Sequence, residues 1–519
     1  MLRKQTTIAC LAIAALSIGV YFKCLFYGIT NSDDEVLIAG NLPFLQDFSN
    51  ILKVFTTDAF YQVKSIDLYR PLQSATFILD AQWGLNPVFV AHLTNLMLHT
   101  VTCLVVFRLL RLLEFRERIA FFGALVYSVH YLFMTAVAWL PARGDLLLAL
   151  FAFLTLASFI NIVTSGGWRN YLLHFIFFAL AIFSKETAVV LPLLLALYLV
   201  GYGRTAVLNR SHLCLPLFYL TVQLLYFWLK ARSVVLYKGD TGLVPLLKNL
   251  PTIPETVAKF YLPLNMSTLP AYQLPATAAG VLIVAGLLLL HFRYKARFDR
   301  RLLFYAGWTL LLLVPAMLYF PAFYYFAYEH VDNRAYIICF GLLLLNLNIV
   351  QTFDLDRKRY FSAACLLLLA YLAALNLHFS GNYRNPAAFA LRAIKTNPGS
   401  AQAYMTYGSE LYLQGQDDEA LDNLNQAIRI FNRYMPALHV RALIYRKRGL
   451  DREALADLDT LLTMDPEYDA ADYILRAKIK IDLHDYDGAI RDYGLALKLS
   501  PGNAEAAQGL KELQRVIQE

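Results

Sequence analysis

The chain has 519 residues; 16% are charged and 58% apolar, with 35 Phe and 33 Tyr, and its mean hydropathy is +0.48. A soluble domain cannot hide that much apolar surface without exposing large patches, and ordinary soluble proteins carry about a quarter charged residues. The composition excludes a purely soluble enzyme, a disordered chain and a disulfide-rich secreted module. What it leaves is a polytopic membrane protein with a soluble appendage.

The charge is unevenly spread. Residues 384–519 hold 17 Lys and Arg against 20 Asp and Glu, so the formal +8 arises in the first 383 residues. A nucleic-acid reading of the high pI fails on that count. Before Arg384, eleven apolar segments approach the length of a bilayer-spanning helix. They begin near Thr7, Pro87, Ile119, Leu146, Tyr171, Ala188, Leu213, Pro275, Leu302, Ala335 and Tyr360. The first follows Arg3-Lys4 and is read as an anchor, because no small-residue cleavage pattern follows it.

Basic residues set the orientation. With the N-terminus inside, the alternate loops carry Arg108 to Arg118, Arg169, Arg204 and Arg210, Arg293 to Arg301, and Arg357 to Arg359. That matches the positive-inside rule and places the C-terminal part outside. Leu246 to Leu269 reads as an interfacial segment on the outer face. All six cysteines lie in or beside apolar segments, as small buried hydrophobes. Asn265-Met266-Ser267 is a glycosylation triplet on the outer face.

The outer loops hold the unusual residues. Asn31-Ser32-Asp33-Asp34-Glu35 places three carboxylates side by side just after the first span. Mutual repulsion favours a bound cation or raises one pKa toward that of a base. The alternative is a helix cap, with Ser32 or Asp33 capping and the acids on the first-turn dipole. His92, Asn95 and His99 share one face of a predicted helix, as a site or as an interhelical hydrogen-bond seam. Three further outer loops each pair a cation with a carboxylate: Arg143-Gly144-Asp145, Ser184-Lys185-Glu186 and Glu329 to Arg334, which includes Asp332. Cations gathered there suit an anionic lipid head group.

After Tyr383 the texture becomes that of a helical repeat. Gly408 and Ala442, and Ala420 and Ala454, are 34 residues apart; Ala454 and Ala489, and Pro466 and Pro501, are 35 apart. This is tetratricopeptide spacing, in which small residues let paired helices pack closely. Three repeats are predicted, preceded by a half-unit from Pro386 to Pro398 and closed by a capping helix from Ala504 to Gln518.

Several ordered motifs carry a resemblance. They are Asp33-Asp34 with Asn41 downstream, Tyr69-Arg70-Pro71-Leu72, His92 to His99, Trp139 with Arg143-Gly144-Asp145, Ser184-Lys185-Glu186, Asn333-Arg334 with Tyr336, and Tyr383-Arg384-Asn385. With the tail, this set resembles the transmembrane and tetratricopeptide repeat-containing protein O-mannosyltransferases, within the GT-C glycosyltransferases. The repeat array is shorter than in the animal members, and Glu35 stands where those often have His, which suggests a bacterial relative.

The resemblance implies an all-α fold. Residues 1–383 would form a GT-C bundle of about eleven spans, with 28–86 as the first outer loop, and 384–519 a repeat solenoid on the periplasmic or lumenal side. It implies transfer of a sugar from a polyprenyl-phosphate donor, undecaprenyl or dolichyl, to a Ser or Thr hydroxyl of a polypeptide docked by the repeats, with inversion. Asp33 would be the base and Asp34 its partner; Asp34 and Glu35 could hold Mg or Mn. Arg143, Lys185 and Arg334 would face the phosphate, His92 and His99 the donor pocket, and Arg70 would brace the loop or bind substrate. A bacterial inner membrane or the endoplasmic reticulum would house it, among membrane lipids. Two other readings stay open: a ligase or polymerase of lipid-linked oligosaccharides, or a lipid-modifying transferase; and a non-enzymatic scaffold.

Overall fold

The computed structural model describes residues 2–62, 68–204, 210–235, 240–294, 299–320, 332–466 and 468–518. Among these residues the protein is all-helical apart from a two-residue antiparallel ladder, Asp240↔Phe320 and Thr241↔Tyr319. The chain divides into two compact units, with the boundary between Arg392 and Ala393. The sequence places it near Tyr383, where the apolar pattern stops. The bundle keeps the next few residues because the Phe389 carbonyl accepts from Thr268 and Arg392 Nε donates to the Met266 carbonyl.

Each of the eleven expected segments falls on helix. Six helices are long and apolar enough to cross a membrane: Gln5–Phe26, Pro87–Leu112, Leu140–Ser165, Cys214–Ser233, Leu274–Arg293 and Phe361–Tyr383. Two further segments are helix pairs bent by 47° and 46°, Glu117–Val129 with Tyr131–Ala138 and Asp332–Ile338 with Phe340–Thr352. Three are shorter apolar helices, Trp168–Ser184, Glu186–Gly201 and Arg301–Met317. His130 makes the first bend: its Nδ1 accepts from the Leu132 N–H, capping a new helical start.

The loops sort to two ends. Glu114 pairs with Arg204 and Arg301, while Arg116 pairs with Asp354 and Asp356. Four loops assigned to the inner side by their basic residues therefore meet at one end of the bundle. Lys295 and Arg297 lie outside the described residues.

The segment around Thr252–Tyr261 departs from expectation. Read as interfacial, it is a ten-residue helix packed into the bundle, with Glu255, Lys259 and Phe260 buried. At about 1.5 Å per residue it spans only about 15 Å. Glu255 accepts from Gln273 N, Thr277 Oγ1 and Asn265 Nδ2, which ties it to the start of the helix Leu274–Arg293. Gly280 permits the close crossing, since a Cβ there would collide with the Pro254 carbonyl. Asn265 is buried and its amide already donates to Glu255 and the Ala271 carbonyl, so the glycosylation triplet is not a surface acceptor.

The second unit carries the expected repeats. Three helix pairs follow in order: Ala401–Leu413 with Asp417–Ile430, Met435–Lys447 with Asp451–Met464, and Ala470–Asp482 with Tyr486–Leu499; the helix Ala504–Gln518 follows them. Ala420, Ala427, Ala442, Ala454, Ala489 and Ala496 are fully buried, as close packing of paired helices requires. Gly408 sits so near Leu424 that a Cβ would lie 3.0 Å from its Cγ. Arg441 binds Asp457 through two nitrogens, and Arg476 binds Asp492 the same way 35 residues on.

Candidate functional site: an ion cluster at one end of the bundle

The first outer loop folds over the bundle end. Pro71 opens the helix Pro71–Ala81, where its missing N–H costs nothing. Asn86 caps the helix Pro87–Leu112 by accepting from Val88 N and Phe89 N. Leu37, Ile38, Leu45, Val54, Phe77, Ile78 and Leu140 form a small core beneath the loop. Gly144 lets the loop helix approach: a Cβ there would stand 2.5 Å from Gln73 Oε1.

The cation–carboxylate loops do converge, with rearranged partners. Lys185 Nζ donates to both oxygens of Asp145 at 2.8 and 2.7 Å, and Asn333 Nδ2 donates to Asp145 Oδ2 at 2.6 Å. Arg70 makes a two-point pair with Glu186 at 3.2 and 2.9 Å. Arg70 and Arg334 both lie near enough to Lys185 to act on its charge. Burial pushes the Lys185 ammonium down to about 8; Asp145 opposes that, while Arg70 and Arg334 add to it. Burial would lower Arg70 too, but the Glu186 carboxylate outweighs it and holds the guanidinium above its ordinary value.

Two expected members go elsewhere. Arg143 is wholly buried: it pairs with Asp80 at 2.6 Å, donates to Asn95 Oδ1 and the Ala91 carbonyl at 2.8 Å, and its guanidinium lies 3.9 Å from the centre of the Phe77 ring. It braces the loop and does not face the phosphate position. Arg143 and Asp145 are two apart in the first turn of a helix, so they point to different sides. His99 bonds Tyr336 Oη at 2.8 Å and the Ser128 carbonyl at 3.1 Å, a core seam and no part of a donor pocket. His92 is buried at the same end, with the Tyr27 ring near it and the Tyr27 and Gly28 backbone against its imidazole.

Asp332 leaves the cluster as well. It pairs at 2.7 Å with Lys259, buried on the short helix Thr252–Tyr261. Glu329, His330 and Val331 lie outside the described residues. The sequence reading missed Lys259, Asp80 and Gln73. The signal for Lys259 was its place four residues after Glu255, which puts two opposite charges on one helix face.

The acidic triplet also divides. Asp34 is buried, and its carboxylate accepts from Thr30 N at 2.6 Å, Thr30 Oγ1 at 2.9 Å and Ser32 N at 3.1 Å. Trp139 Nε1 donates to the same Thr30 hydroxyl. Burial raises the Asp34 pKa and these donors hold it back. Asp34 ties the loop to the bundle, in place of the expected cap from Ser32 or Asp33. Asp33 and Glu35 are exposed. Asp34, offered with Glu35 as a holder of Mg or Mn, already accepts from three donors. Among the described residues no three His, Cys, Asp or Glu side chains gather to hold a metal.

The chain is thus a bundle of apolar helices with an ion cluster at one end. Residues 84–229 match the family model described as dolichyl-phosphate-mannose-protein mannosyltransferase. The chain is 29% identical over 149 residues to Protein O-mannosyl-transferase F38B6.6 of Caenorhabditis elegans, covering 27% of this chain and 21% of that protein. It is 29% identical over 191 residues to Protein O-mannosyl-transferase Tmtc1 of Drosophila melanogaster, covering 36% and 22%. The matches thus span about a fifth of each relative's length. Among solved structures, the Arabidopsis OM64 TPR domain is similar at 22% identity, covering 22% of this chain and 94% of that one, with a TM-score of 0.21. The resemblance to the O-mannosyltransferases carried by the motifs is borne out by these relatives.

Proposed function

We propose that this protein transfers a sugar from a polyprenyl-phosphate donor to a Ser or Thr hydroxyl of a polypeptide, with inversion at the anomeric carbon. The observation that carries the reading is the group of Arg70, Glu186, Lys185, Asp145 and Asn333 with Arg334 beside it, its Lys185–Asp145 pair buried, at the end of the bundle where the acidic loop lies. Such a group, preorganised away from water, stabilises the charge that grows on a departing phosphate. Asp33, exposed on the loop, takes the proton from the incoming hydroxyl. The oxygen–C1 bond forms as the C1–phosphate bond breaks, and the polyprenyl phosphate leaves with the electron pair against Lys185 and Arg334. Asp34 keeps the loop in place. The repeats would present the polypeptide.

The test is release of free polyprenyl phosphate from a panel of labelled polyprenyl-phosphate sugars, with a Ser/Thr-rich peptide as acceptor. Loss of a general base typically costs about 10²–10⁴-fold, so Asp33→Asn should fall by that factor while Asp34→Asn mainly loses thermal stability. Full turnover in Asp33→Asn would remove the base assignment. No release from any donor would favour the scaffold reading.

A further inference from the structure

Two buried amide side chains beside the cation cluster each hold an oxygen with no hydrogen-bond partner. Gln73 is 2% exposed and Asn333 7%, and the orphaned atoms are Gln73 Oε1 and Asn333 Oδ1. Their orientation is dictated by chemistry. Gln73 Nε2 donates to the Pro141 carbonyl at 3.3 Å, and Asn333 Nδ2 donates to the Asp145 carboxylate at 2.6 Å. A carbonyl and a carboxylate only accept, so flipping either amide would set oxygen against oxygen. Each side chain therefore turns its own oxygen away from its anchor. Both anchors lie on the stretch 141–145, and Gln73 Oε1 lies over Gly144, next to the Asp145 that holds both Lys185 and Asn333.

A buried acceptor left unpaired carries a desolvation penalty, and native proteins keep few of them without a use. A phosphate diester cannot relieve these two, because its oxygens only accept. Ring hydroxyls can. We propose that Gln73 Oε1 and Asn333 Oδ1 accept hydrogen bonds from hydroxyls of the donor's sugar ring. The neighbouring cations read the phosphate and the two amide oxygens read the sugar attached to it. This assignment rests on the donor reading given above and names the sugar-binding side of the same site.

The experiment measures equilibrium binding of two probes to the full chain in detergent: a short-chain polyprenyl-phosphate mannose, and the same polyprenyl phosphate without sugar. Wild type should prefer the sugar-bearing probe, and Gln73→Met should lose about tenfold for that probe alone, the worth of one such hydrogen bond. Mono-deoxy versions of the sugar add a cycle that a structural role would not move. Removing the contacted hydroxyl should cost wild type about tenfold and cost Gln73→Met nothing further. An unchanged preference in Gln73→Met, or equal losses for both probes, would overturn the inference while leaving the phosphate reading intact. Failure of wild type to bind either probe would overturn both.

Discussion

The two ends of the bundle are both rich in charge, and they use it differently. At the end where the basic loops meet, two of the pairs are open to water: Arg116–Asp354 has side-chain exposures of 33% and 51%, and Arg204–Glu114 of 38% and 45%. At the other end Lys185–Asp145 is 3% exposed on both sides, and Lys259–Asp332 4% and 3%. Exposed pairs contribute about 0–1 kcal/mol, so the first end reports topology and little else. Burying ions costs several kcal/mol apiece, a cost that stability alone does not explain. The difference separates charge paired in water at the basic end from charge paired inside the bundle at the other.

The contrast can be broken from either side. The largest effect should come from Lys259→Met, which strands a buried Asp332 carboxylate. Thermal unfolding should show a loss of about 3–5 kcal/mol, against at most about 1 kcal/mol for Arg204→Ala. Adding Asp332→Leu to the first variant should restore most of the loss. Next comes Lys185→Met combined with Asp145→Asn, which removes the cation without leaving its partner charged. Polyprenyl phosphate release should fall about 10²–10³-fold, whereas Arg204→Ala should leave it within about twofold.

Acidity sharpens the comparison further. Lys185 is held down to about 8, so it carries its charge below that pH and loses it above. The KM for the donor should rise as pH passes about 8, roughly tenfold per unit while Lys185 carries the binding. A KM flat to pH 10 would remove Lys185 from phosphate binding. The smallest effect belongs to the repeats. Burial would lower His439, but its contact with Asp472 outweighs this and leaves the imidazole above its ordinary value. A raised folded-state pKa gives stability that is fully present below the unfolded value and fades as pH rises through the folded one. Melting of the repeat unit should therefore decline slightly as pH rises above the ordinary imidazole value, about 6.5, in wild type and not in His439→Gln.

Helix content and repeat period were legible because they depend on local pattern. The apolar segments beginning near Pro87 and Leu146 needed only length, and Ala420 and Ala454 only a spacing. Which charge meets which was not legible, because neighbours in sequence point to different sides of a turn. Arg143 and Asp145 read as one pair, yet one goes to Asp80 and the other to Lys185. Asp332 and Asn333 split in the same way, to Lys259 and to Asp145. His92 and His99 share a helix face, but seven residues carry His99 down into the core, where Tyr336 holds it. Lys259 was hidden because its short amphipathic segment looks like one that lies on a membrane.

The most direct test is to map where the donor's head group sits. A polyprenyl-phosphate analogue bearing a photoreactive group beside the phosphate would be cross-linked to the intact protein and the labelled peptides sequenced. Labels should fall on residues 70–73, 184–186 and 333–334. Labels concentrated on residues 114–118, 299–301 or 353–357 would contradict the assignment of the two ends.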